Sequence, residues 1–176
     1  MKKTECVVVS GGFDPIHVGH LRMFKEASKL ASKLIVIVNN DNFLTEKKGY
    51  VFMPIEERLE IIEGFDVVDM VIESIDKDLT VCRTLKWLAK EENVKIFANG
   101  GDRNNTDAIP EADVCRKNKI AMQFNVGGGK IQSSSNLVAM EIIKPWGSYK
   151  TFEKNEDFLL KRITVAPGES LSLQSH

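Results

Sequence analysis

Gly11-Gly12-Phe13-Asp14-Pro15-Ile16-His17-Val18-Gly19-His20 is the stretch from which the rest of the chain can be read. It follows the short, β-branched apolar run Cys6-Val7-Val8-Val9-Ser10, and from Leu21 onward apolar residues recur at helical spacing. The motif therefore sits on a strand-to-helix turn. The first N–H groups of a helix have no intrahelical partner, and the helix dipole adds partial positive charge there, a combination that suits bound phosphate. Glycines allow close approach of a ligand to the backbone, and His17 and His20, three apart, leave one face of the helix. Two imidazoles at a helix start can cap the helix, form half of a zinc site, or donate to a phosphate.

Outward from this turn the chain alternates strand and helix. Strands are expected at Cys6–Val9, Leu34–Asn39, Val67–Glu73, Val94–Ala98 and Ala121–Val126, and helices at Val18–Ala31, Ile55–Gly64, Leu79–Glu92, Pro110–Lys117 and Ser134–Ile143. Near-continuous apolar runs such as Leu34-Ile35-Val36-Ile37-Val38 fit strands buried on both faces of a parallel sheet. The expectation is an α/β, Rossmann-like, doubly wound parallel sheet of five strands over residues 1–143. Its ligand would lie at the carboxyl ends of the strands, where the glycine-rich turn falls. Residues 144–176 change character, with candidate strands at Phe158–Val165 and Ser170–Leu173 around a β-turn at Ala166-Pro167-Gly168-Glu169. They form a short β-rich C-terminal tail.

The composition is that of a soluble globular protein, 43% hydrophobic and 28% charged. A formal net charge of −1 gives no electrostatic case for nucleic acid or an anionic membrane as a partner. Met1-Lys2-Lys3 leads into an apolar run too short for a signal peptide, and no stretch approaches membrane-spanning length. Cys6, Cys82 and Cys115 lack pairing or metal-ligand spacing, so reduced thiols and a cytoplasmic location are expected. The one further histidine is His176, and no local zinc set can be assembled. Two familiar phosphate motifs fail by inspection. The glycines after the first strand do not follow G-x-G-x-x-G, and Gly129-Lys130 is followed by Ile131 rather than by Ser or Thr.

The decapeptide, as Gly-x-Phe-Asp-x-x-His-x-Gly-His, resembles the signature of the nucleotidyltransferase superfamily. That superfamily includes the cytidylyltransferases for glycerol phosphate and ethanolamine phosphate and the heptose-phosphate adenylyltransferases. Class I aminoacyl-tRNA synthetases carry a similar tetrapeptide, but they need a Lys-Met-Ser-Lys-like motif that this chain lacks. The resemblance implies that His17, His20 and Lys48 are catalytic. It also implies that Gly11, Gly12, Phe13, Asp14 and Gly19 contact the nucleotide, although Asp14, ahead of Pro15, equally suits a structural place in the turn.

Three further segments fit the same reading. Thr45-Glu46-Lys47-Lys48-Gly49-Tyr50 reads by itself as a solvated charge run in a loop. The resemblance makes it the lysine-bearing loop ahead of a helix carrying Glu57-Arg58, with Lys47 or Lys48 on the triphosphate and Arg58 at the nucleotide. Gly100-Gly101-Asp102-Arg103 reads as a turn, and by resemblance Gly101, Asp102 and Arg103 lie close to the substrates. Ser133-Ser134-Ser135 is N-cap material and also resembles the hydroxyl cluster that holds the β- and γ-phosphates. The arginine that usually precedes this cluster in cytidylyltransferases is absent, its region being Gly128-Gly129-Lys130-Ile131-Gln132.

The activity so implied is condensation of a nucleoside triphosphate, CTP by the resemblance, with a small phosphorylated alcohol or sugar phosphate, releasing pyrophosphate. Mg2+ would arrive on the triphosphate, with no side-chain metal ligand expected. A histidine near its usual pKa of about 6.5, raised by surrounding phosphate, would donate or carry positive charge. The alternatives are an ATP-dependent adenylyltransferase of the heptose-phosphate type and a non-catalytic nucleotide-binding regulatory module. Relatives imply a homodimer.

The tail resembles the opening of the cupin domain of bacterial mannose-6-phosphate isomerases. The likeness lies in Lys144-Pro145-Trp146-Gly147-Ser148-Tyr149, Lys161-Arg162-Ile163-Thr164-Val165 and Pro167-Gly168-Glu169. So short a segment cannot close a cupin barrel, so a truncated or remnant domain without isomerase activity is expected.

Overall fold

A computed structural model describes residues 3–100, 109–129, 132–138, 141–154 and 159–171. Contacts divide the chain into two compact units, 1–134 and 135–176. The first contains β1 (Glu5–Gly11), α1 (Val18–Ala27), β2 (Lys33–Val38), α2 (Asp41–Lys48), α3 (Ile55–Glu63), β3 (Met70–Glu73), α4 (Cys82–Glu91), β4 (Asn93–Ala98), α5 (Ala112–Asn118) and β5 (Ala121–Gln123). The five strands form one sheet in the order β3-β2-β1-β4-β5, every pairing parallel. The strand order reverses at β1. In a doubly wound sheet this reversal opens a crevice at the strands' carboxyl ends.

Alternation along the strands divides the core into two layers. Val7, Val9, Val36, Val38 and Ala98 pack with Met23, Phe24 and Ala27 of α1 and with Ile55 and Ile62 of α3. Cys6, Val8, Ile35, Ile37 and Phe97 face the other way, against Leu85 and Leu88 of α4 and Cys115 of α5. Each Val, Leu, Ile, Phe or Met among them, when fully buried, contributes roughly 1.5–3 kcal/mol of transfer free energy. This is why the central strands read as unbroken apolar runs.

Several elements depart from the sequence reading. The charged run after β2 is the end of helix α2, started by Asn40, whose side chain accepts from the Phe43 N–H, and closed by Gly49 at φ 84°. The helix expected over Ser134–Ile143 is a four-residue α6 (Ser134–Leu137), and β6 (Glu141–Lys144) is a strand. A strand that the sequence did not suggest, β7 (Gly147–Lys154), follows.

The second unit is a three-stranded antiparallel sheet, β6-β7-β8, with β8 at Leu159–Val165. The expected turn forms after β8, with the Glu169 N–H donating to the Ala166 carbonyl at 3.0 Å and Gly168 at φ 85°. Ser170 and Leu171 are not in a strand. Phe158, Ser172 and Leu173 lie outside the described residues.

Candidate functional site at the start of the first helix

The turn between β1 and α1 brings the two histidines together by making them the cap of the helix. The Gly19 N–H donates to His17 Nδ1 at 3.1 Å, and the His17 N–H donates to His20 Nδ1 at 3.2 Å. The rings stack with centroids 3.7 Å apart and planes 17° apart. Gly19 is needed here, because a Cβ would meet the His17 ring at 3.0 Å. The Phe13 ring meets His20 edge-on at 4.9 Å and Phe24 at 5.3 Å. Phe13 is buried and stands at φ 50°. It supports the imidazole from behind and fills the space beside Gly11, where a Cβ would lie 2.9 Å from its ring.

This cap decides the chemistry of both rings. An Nδ1 that accepts from a backbone N–H carries no proton, so each neutral imidazole holds its proton on Nε2 and can donate from there. Burial, and then the neighbouring His17, push His20 down to about 3; burial also lowers His17. The positive end of the α1 dipole works in the same direction. In the protein itself, then, the pair is neutral at pH 7, where the sequence reading allowed it to carry charge. What the pair can offer a ligand is two Nε2–H donors.

Beside the cap, charged side chains tie the turn to α2 and α3. Asp14 is buried. One carboxylate oxygen accepts from the Met53 N–H at 2.6 Å, and the other from the Phe52 N–H at 3.0 Å and Lys48 Nζ at 3.1 Å. Lys48 also donates to the Asp14 carbonyl at 2.9 Å. Its ammonium lies 5.3 Å from the Tyr50 ring centroid. Asp14 therefore takes the structural place in the turn. Lys48 stands at the site with its ammonium anchored, while Lys47 lies over the Phe43 ring at 5.3 Å.

Arg58 is 1% exposed. Its Nε donates to the Met53 carbonyl at 2.9 Å. Nη1 donates to the Gly12 and Asn39 carbonyls, each at 2.7 Å, and Nη2 pairs with Asp41. The guanidinium thus fastens the carboxyl ends of β1 and β2 together from within. Gly12 is similarly enclosed, a Cβ there meeting Leu44 at 2.8 Å.

The serine segment reaches the opening turn through Ser134, whose Oγ donates to the Pro15 carbonyl at 2.8 Å. The Ser133 N–H donates to the Gln132 side chain at 3.2 Å, and Ser135 is exposed and falls in the second unit. Gly127, at φ 94°, packs on Met23 of α1, and its N–H donates to Glu26 at 2.9 Å. Gly101, Asp102 and Arg103, with Lys130 and Ile131, lie outside the described residues. Among the described residues no three His, Cys, Asp or Glu side chains gather as a metal-binding group, and no helix is long and apolar enough to cross a membrane. The three cysteines are free thiols, and burial raises Cys115 to about 11. Capping was among the sequence readings of the two histidines, whereas the buried amides of Asn39 and Asn99 escaped that reading.

Residues 8–153 match a family described as cytidylyltransferase-like, and residues 132–176 match one described as mannose-6-phosphate isomerase C-terminal. An FAD synthase from Thermococcus sibiricus is 34% identical over 121 residues, 66% of this chain and 77% of that protein. A probable ethanolamine-phosphate cytidylyltransferase from Encephalitozoon cuniculi is 28% identical over 85% of this chain, which spans 45% of that relative's length. The bifunctional protein HldE of Hahella chejuensis is 31% identical over 60% of this chain and 21% of its own. Among solved structures, a lipopolysaccharide core biosynthesis protein from Thermoplasma volcanium superposes with a TM-score of 0.54 at 26% identity, covering 69% of this chain and 94% of that one.

Proposed function

Because the chain belongs to the cytidylyltransferase-like family of nucleotidyltransferases, we propose that it condenses a nucleoside triphosphate, CTP first, with a small phosphorylated alcohol or sugar phosphate, releasing pyrophosphate. The observation that carries this reading is the stacked, neutral His17–His20 pair capping α1 at the end of the central strand. A phosphate oxygen of the second substrate attacks the α-phosphorus, and the pyrophosphate oxygen leaves. The attacking oxygen is already ionised at neutral pH, so the reaction needs donors for the charge that gathers on the phosphorus oxygens rather than a strong base. His17 and His20 supply two, held in place before the reaction by the cap. The first N–H groups of α1 and the Lys48 ammonium add fixed positive potential.

In this reading Lys47, the glycines 11, 12 and 19, and Ser133 and Ser134 also contact the nucleotide, as do Gly101, Asp102 and Arg103. Phe13 and Arg58 act in this reading by holding the histidines and the strand ends. Mg2+ accompanies the triphosphate and offsets its charge. The Asp14 oxygens, already engaged by Lys48, Phe52 and Met53, are not set aside for it. The proposed protein works as a homodimer in the cytoplasm.

The test is pyrophosphate release with Mg2+ and each of CTP, ATP, UTP and GTP against a panel of phosphorylated alcohols and sugar phosphates, with a thermal-shift screen of the same triphosphates. Turnover and a melting shift confined to CTP support the reading. A response confined to ATP assigns the adenylyltransferase alternative. A melting shift without turnover assigns the regulatory module. In the active pairing, His20→Ala lowers kcat by about a hundred- to a thousandfold, the scale of removing one preorganised donor.

A further inference from the structure

Asn39 follows β2 and Asn99 follows β4, the two strands that flank β1. Both main chains are held on both sides. The Asn39 N–H donates to the Gly11 carbonyl at 2.9 Å, and its carbonyl accepts from Arg58. The Asn99 N–H donates to the Gln123 carbonyl at 2.8 Å, and its carbonyl accepts from the Val126 N–H at 3.1 Å. The ladders therefore run on through these residues, and so does the pleat. Val38 and Ala98 belong to the α1 layer, so Asn39 and Asn99 both fall on the opposite face. Ser10 of β1 lies between them on that face, next to Val9 of the α1 layer.

Each asparagine is 6% exposed. Among the described residues, Asn39 Oδ1 and Asn99 Nδ2 are nevertheless buried without a hydrogen-bond partner. Leaving a buried polar atom unpaired costs about 1–3 kcal/mol, and a backbone held this firmly does not relax to relieve it. One orphan is an acceptor and the other a donor. Asn99 is level with Ser10 of β1 and Asn39 with Gly12, so they stand two strand spacings apart across the sheet and two residues apart along it, about 12 Å between Cα atoms, a span that two carboxamides and a short polyhydroxylated molecule fill. A neutral hydroxyl both donates and accepts and can satisfy both atoms. An ammonium only donates, and would face the Asn99 N–H with another donor.

We propose that the Asn39 and Asn99 carboxamides recognise the hydroxyl groups of the phosphorylated substrate and select a polyol or sugar phosphate over an aminoalkyl phosphate. The inference rests on the nucleotidyl-transfer reading for the presence of that substrate. The two are tested separately.

The experiment uses the full chain with Mg2+ and the α,β-methylene analogue of CTP or ATP, which prevents turnover. Glycerol 3-phosphate and ethanolamine phosphate are titrated calorimetrically into the wild type, Asn39→Leu, Asn99→Leu and Asn99→Asp, and melting temperatures are recorded. Wild type binds glycerol 3-phosphate at least about tenfold more tightly than ethanolamine phosphate, in line with the cost of an unpaired buried group. Each substitution removes that preference and leaves the affinity for the triphosphate analogue unchanged. The leucine variants melt no lower than wild type, because an orphaned amide is replaced by an apolar side chain of similar size. The proposal is overturned if wild type shows no such preference or binds neither phosphate, if the preference survives the substitutions, or if the leucine variants melt lower. A preference that behaves as expected, with no pyrophosphate released from the natural triphosphates, removes the transferase reading and keeps the recognition. Equal turnover of both phosphates by every variant does the reverse.

Discussion

The histidine cap of α1 and the charged knot beside it, Asp14 with Lys48 and Arg58 with Asp41, use polar side chains in opposite ways. In the cap, backbone N–H groups satisfy one nitrogen of each ring and leave the other, with its proton, outside the arrangement. In the knot, protein carbonyls and a carboxylate take up four of the five N–H groups of Arg58, and backbone N–H groups and the Lys48 ammonium take up both oxygens of Asp14. A charge in a motif is thus no guide to which side chain meets the ligand; its partners are.

The largest effect expected from this contrast is at Arg58. Arg58→Ala leaves the Gly12, Asn39 and Met53 carbonyls short of a donor and costs about 3–5 kcal/mol, the scale of breaking a buried charge network. Chemical denaturation measures it, and a stable variant that has lost only nucleotide binding would move Arg58 to the ligand side of the comparison. Lys48→Met comes next, at about 2 kcal/mol for a hydrogen bond between charged groups. Because the ammonium also faces the site, its activity falls further than a denaturation midpoint alone would account for.

The histidines give a smaller, graded effect. A folded pKa lowered to about 3 for His20, against about 6.5 when unfolded, means that the unfolded chain binds more protons between those values. The cap's contribution is therefore complete above about pH 6.5 and is lost as pH falls toward 3, at no more than about 1.4 kcal/mol per pH unit per ring. His20→Gln, compared with wild type over that window by urea denaturation, shows the shallower decline; parallel curves would put the ring in solvent.

What the sequence could show follows from range. Parallel-sheet strands declare themselves by local apolar runs, and Leu34 to Val38 or Val94 to Ala98 needed nothing beyond their own side chains. The cap of α1 was also within reach, since His17 and His20 stand at N-cap spacing. Helix α2 was missed although both of its ends were written in the chain, at Asn40 and Gly49, because the lysine pair between them reads as a solvated loop. At Glu141–Lys144 too few residues separate helical from strand periodicity, and the pairing with β7 settles it. Arg58 was legible as a position but not as a role. Its Gly12 partner lies 46 residues away, and no local pattern announces a carbonyl at that distance. The orphaned amides of Asn39 and Asn99 were invisible for the same reason, because an absent partner is a fact of packing.

The central claim is that the helix cap holds both imidazoles neutral, each with its proton on Nε2 and free to donate. Long-range proton–nitrogen correlation NMR of the histidine rings, recorded from pH 8 down to pH 4, tests it directly. The account predicts two rings, lost from the spectra of His17→Ala and His20→Ala respectively, that appear as the Nε2–H tautomer at neutral pH, with the His20 ring staying so through pH 5. Two imidazoles that titrate together near pH 6.5, or that carry their neutral proton on Nδ1, would contradict it.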